Sequence, residues 1–232
     1  MIKYIITGFF LLSIAVETHH AQNMNHPTTA QQASKRVRKL IDRSERIIHR
    51  KRPLPIKENI VTTNNWIGFA VPFVFDFDNP DKSKPVEIST AGHLAFLAKM
   101  VNEGYNFADI NFILTANIDL DGREWTPIGT FGANNNDNSK RFCGVFDGND
   151  HQITNLTITR GSDYVGLFGV CGTGSIIKNL HLVNSYIVGI TSVGALVGEL
   201  INGEIDACTV SGFVAASQEY VGGFVGVNGG KI

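Results

Sequence analysis

From Phe142 onward the chain alternates apolar and polar residues in runs of three to five, each closed by Gly, Asn or Ser. Leu180 and Leu182 fall on one side of such a run and His181 on the other, the period of a strand with one buried face. Strands this short do not hold as isolated hairpins and need neighbours. Upstream the period changes. Ser89-Thr90 leads into Leu94, Phe96, Leu97, Met100 and Val101, which predicts one amphipathic helix ending near Gly104. Residues 112–114 and 118–120 then read as the first strands. Earlier still, Val37, Leu40, Ile41, Ile47 and Ile48 share one face of a predicted helix over residues 34–52, stopped by Pro53 and Pro55.

The alternating runs repeat. Tyr164-Val165-Gly166-Leu167-Phe168-Gly169 returns as Ser192-Val193-Gly194-Ala195-Leu196-Val197-Gly198 and as Tyr220-Val221-Gly222-Gly223-Phe224-Val225-Gly226, the Val-Gly pair recurring every 28 residues. Ile177-x-x-Leu180-x-Leu182 and Ile205-x-x-Cys208-x-Val210 keep the same step. Ile153-x-x-Leu156-x-Ile158 reads as a shorter copy, 24 residues ahead. Self-similarity at a fixed period implies stacked units, each burying its apolar file on the next. The prediction is an all-β parallel β-helix, or β-solenoid, with Leu156, Leu180 and Cys208 in one file. Gly at fixed places is expected to supply corners with positive φ, and the upstream helix to cover the open end of the stack.

Composition agrees: 43% apolar, 18% charged and 24 Gly among 232 residues describe a chain with a core but not a helical bundle. The net charge of −1 conceals a +8 stretch over residues 23–57 and a −9 remainder over residues 58–232. That distribution, without aromatics interleaved with Lys and Arg, argues against nucleic acid as a partner. Lys3, the apolar run 4–16 and Ala21 form an export signal over residues 1–21, too short to span a bilayer as a helix. Residues 22–63 form a basic helical or linker segment. Its helix would either meet anionic lipid or polysaccharide or serve as a solvated spacer. Residues 64–141 make the N-terminal cap and first coils, and residues 142–232 the repeats. Cys143, Cys171 and Cys208 fit neither a disulfide framework nor a zinc finger.

The segments ISTAGHLAFLAKMVNEG, FILTANIDLDGREWTPIG and FCGVFDGNDHQITNLTI, followed by the YVGLFG, SVGALVG and YVGGFVG series, resemble the GLUG-repeat proteins from about Trp66 to Ile232. The resemblance implies a right-handed β-helix in exported, adhesin-like bacterial surface proteins; the repeat also occurs beside IgA-specific metallopeptidase domains. The chain departs from the pattern at Asn149-Asp150-His151, where Asn-Gly-His is usual. It departs again at Ala207, which replaces the Asn seen at Asn155 and Asn179.

Candidate chemistry is sparse. Asp147 and Asp150, with Asp121 or Glu124 farther off, could serve a polysaccharide-acting β-helix enzyme; turn residues bonding nearby N–H groups have the same signature. Arg160 is the one candidate base nearby. His93, His151 and His181 do not form a ligand set, H-E-x-x-H is absent, and His181 is expected to stand in register with Thr157 and Thr209. Gly172-Thr173-Gly174-Ser175 lacks the length and Lys of a phosphate loop. Cys208, in the place of Leu180, reads as a buried thiol. Trp66 and Trp125 could stack on a sugar, although Trp125 better fits a plug in the first coil. No catalytic, cofactor or metal residue is assigned.

The expected function is a non-catalytic scaffold, at the cell surface or extracellular rather than periplasmic, presenting a repeated face to a host glycan, mucin or surface protein. A polysaccharide-acting enzyme using Asp147 and Asp150 is the alternative, and a ligand-free stalk a third reading. The sequence ends at Gly229–Ile232 partway through a unit, so either further chain or capping by a partner or second copy is expected there.

Overall fold

A computed structural model describes residues 66–132, 137–159 and 161–232. The export signal expected over residues 1–21 and the basic helix expected over 34–52 lie outside the described residues, as does Arg160. Within them the chain winds into about five coils, and every strand pair is parallel. One sheet stacks β1 (Val86–Ile88), β2 (Asn111–Leu114), β4 (Val145–Asp147), β8 (Ile176–Lys178) and β11 (Glu204–Asp206). A second stacks β3 (Ile118–Asp119), β5 (Gln152–Thr154), β9 (His181–Gly189) and β12 (Thr209–Ala216), with β6 (Thr157–Ile158) also on β9. The third stacks β7 (Phe168–Cys171), β10 (Val197–Leu200) and β13 (Val225–Asn228). The predicted β-solenoid is the observed fold.

Parallel register places like on like. Val86, Phe112, Phe146, Ile177 and Ile205 form one inward file, none more than 6% exposed. Ile118, Ile153, Leu182 and Val210 form another. Val165, Val193 and Val221 bridge in the expected 28-residue step. Burying each such side chain contributes about 1.5–3 kcal/mol against chain entropy, so continuity of the files is what holds the stack.

Register overturns four expectations. Leu156 does not share the file of Leu180. The pairing of Ile153 with Leu182 and Thr157 with Tyr186 puts Leu156 beside Ser185, a buried hydroxyl with no hydrogen-bond partner. The 24-residue copy is therefore not a coil: Phe112 to Phe146 is 34 residues and Ile153 to Leu182 is 29. His181 stands in register with Thr209 as expected, but its other neighbour is Gln152, and Thr157 lies with Tyr186 instead. Lastly, Gly129, Gly174 and Gly212 take positive φ, but the glycines of the Val-Gly series do not mark the corners between strands. Those corners are filled by Asn155, Tyr164, Asn179, Asn184, Ser192, Ala207 and Tyr220. Gly198 instead admits neighbouring backbone, since a Cβ there would lie 2.6 Å from the Tyr164 carbonyl carbon.

The helix α1 (Ala91–Glu103) forms where predicted. The Thr90 side chain accepts the His93 N–H at its start, and Gly104, at φ 115°, closes its end. A strand missed in the sequence, β1, precedes it, so the helix belongs to the first coil. Leu94, Leu97 and Val101 are buried. Asn102 does a strand's work: its amide donates to Pro127 O at 3.0 Å and accepts from Gly129 N at 3.0 Å. Those are the two bonds a parallel neighbour would make around Ile128, so one side chain closes this edge of the third sheet.

The last described coil is covered less than the one before it. Leu182 and Ile187 are at most 1% exposed, whereas Val210 and Val214, their partners in β12, are half-buried. Val221 is 54% exposed where Val193 is fully buried.

Candidate functional site

The corner after β4 holds the carboxylates that sequence singled out. Asp147 Oδ1 accepts the Asn149 N–H at 2.8 Å and the Asn179 amide at 3.0 Å, and Oδ2 lies 3.2 Å from Lys178 Nζ. Burial pushes this carboxyl up, but the bonds from Asn179, Asn149 and Lys178 outweigh it, and its pKa falls below the usual carboxylate value. A general acid needs the opposite displacement. Asp150 is exposed, at φ 59° in the turn, with its Oδ1 3.9 Å from His181 Nε2. Both residues behave as turn and inter-coil groups.

A second corner repeats the device. The Asn184 amide donates to Asn155, the Asn155 amide to Asp119 Oδ1 at 2.8 Å, and the Asp121 N–H to that same oxygen. These bonds, led by Asn155, hold the Asp119 carboxyl below its ordinary value. Asn155 thus stacks on Asn184, while Asn179 belongs to the Asp147 corner, so there are two polar ladders rather than one. Sequence showed the residue types but not the pairing, because the extra residues Asn149-Asp150 and the bulge at Asn184 shift each coil differently.

The remaining candidates are dispersed. His151 Nδ1 lies 3.2 Å from Asn117 Oδ1, His181 Nδ1 lies 2.8 Å from Thr209 Oγ1, and His93 sits by Ser89 in α1. Among the described residues no group of three or more His, Cys, Asp or Glu side chains is placed to hold a metal. Trp125 is 2% exposed and donates its Nε1–H to Leu167 O, so it cannot stack on a sugar. Trp66 is half-buried, donates to Leu120 O and carries the Arg123 guanidinium 5.2 Å over its ring.

The three thiols are free. Cys171 faces the core beside Phe142, and burial raises its pKa well above the ordinary value. Cys143 is buried just ahead of β4, its Sγ accepting from the Asn138 amide, and burial raises it as well. Cys208 is half-buried, its Sγ 3.2 Å from Asp206 O, and raised by burial. None is an activated nucleophile.

One carboxyl missed in the sequence is displaced as an acid would be. Burial raises Glu199, against the opposing charge of Arg141, and Tyr164 feels its charge. A single Glu in an apolar repeat carries no sequence signal.

Among the outward surfaces, the face of the second sheet carries the aromatic side chains in register. Gln152, His181 and Thr209 make one row, and Thr157, Tyr186 and Phe213 the next. The Tyr186 and Phe213 rings stack, centroids 5.3 Å apart and planes 18° from parallel; Phe213 is 50% exposed. Such a face suits binding by repeated side chains rather than by a pocket.

No protein-family profile matches the chain, and no solved structure matches it. Two known proteins do. Over 136 residues, 58% of this chain and 15% of the relative, it is 39% identical to a protein of Evansella cellulosilytica described as a Gly-rich membrane protein. Over 184 residues, 75% of this chain and 2% of the relative, it is 32% identical to halomucin of Haloquadratum walsbyi. The chain spans only a small part of either relative. No helix among its described residues is long and apolar enough to cross a membrane.

Proposed function

We propose that this chain is a non-catalytic β-solenoid module of an exported surface protein, of the GLUG-repeat kind, whose second-sheet face binds a glycan, a mucin or a surface protein. The observation that carries this reading is the occupation of its polar groups. The carboxylates and amides that could do chemistry, Asp119, Asp147, Asn155 and Asn179, are engaged in bonds between coils. The outward rows of Thr157, Tyr186 and Phe213, and of Gln152, His181 and Thr209, run along one face. The names of the two relatives, a Gly-rich membrane protein and a halomucin, support a place at the cell surface.

The test is binding of the 232-residue chain to immobilised mucin and to a panel of glycans. Binding should survive Asp147→Ala with Asp150→Ala and weaken at least tenfold in Phe213→Ala with Thr209→Ala. Release of saccharide fragments by the parent chain, lost in the folded double-Asp variant, would replace this reading with the enzymatic one. A folded chain that binds none of the probes leaves a stalk without a ligand and ends the binding part of the proposal.

A further inference from the structure

We draw no further inference here: the strongest candidate, the apolar face of the last described coil, where Val210, Val214, Val221 and Phe224 line a cleft of about 600 Å³ beside the edge strands β12 and β13, carries nothing because nothing in the structure shows what covers it.

Discussion

Ala207 turns a corner at φ 48°, where Asn179 turns the same corner one coil earlier at φ 51°. Left-handed backbone costs an L-residue roughly 1–2 kcal/mol, and Asn tolerates it better than Ala because its side chain bonds locally. Ala207→Asn should therefore stabilise the chain by about 1 kcal/mol in chemical denaturation; Ala207→Gly should gain less, since glycine is freer when unfolded. The carboxylates beneath these corners set a pH dependence. Asp119 and Asp147 have folded pKa values below their unfolded ones. Their contribution is complete above the unfolded value of about 4 and is lost as pH falls through the folded values. Stability measured from pH 6 to pH 2 should fall below about pH 4, and Asp147→Asn should flatten that fall. An unchanged slope in the variant would remove Asp147 from the account.

At the scale of the element, glycine separates two demands that look alike in sequence. A Cβ at Gly198 would meet backbone at 2.6–2.7 Å, from Tyr164, Val165 and Gly169, whereas one at Gly223 would meet nothing within 4 Å. Gly198→Ala should cost about 3 kcal/mol or more, because backbone cannot yield as a side chain does. Gly223→Ala should be neutral or gain up to about 1 kcal/mol. Equal costs in thermal melts would refute this close-approach role. The same contrast marks what was legible beforehand. Helix α1 was readable with both caps, since Thr90 and Gly104 are local signals. So was the 28-residue step from β8 to β11, where no residue is inserted. The register from coil two to coil four was not. Its offsets come from the excursion between Gly129 and Phe142 and from Asn149-Asp150, and the bulge at Asn184 adds a further shift between coils four and five; none of these leaves an apolar period. Strand β1 is three residues, Val-Glu-Ile after Pro85, too short to stand out before its partner is known. The outward face of the second sheet escaped for a related reason: Tyr186 and Phe213 are 27 residues apart, and only the register shift at Gly212 brings them together.

In the whole molecule each coil touches mainly its neighbours, so stability is close to a sum of coil and interface terms rather than one indivisible transition. The lower end is closed by α1, by Asn102 on Pro127 and Gly129, and by Trp66 on Leu120. Coils three and four are covered on both sides, whereas the inward residues of β12 and β13 stay half-buried. Opening should therefore begin at β12 and β13 and move toward α1. Amide hydrogen exchange on the 232-residue chain should show protection in β9 and β10 well above that in β12 and β13. Substitutions should follow the same gradient. Ile187→Ala, at a fully buried position, should cost about 2–5 kcal/mol. Val214→Ala, its half-covered partner in the next coil, should cost about 1 kcal/mol and chiefly speed exchange within coil five. Uniform protection from β5 to β13, with both substitutions lowering it everywhere alike, would mean that the coils unfold together and that the nearest-neighbour account fails for this chain.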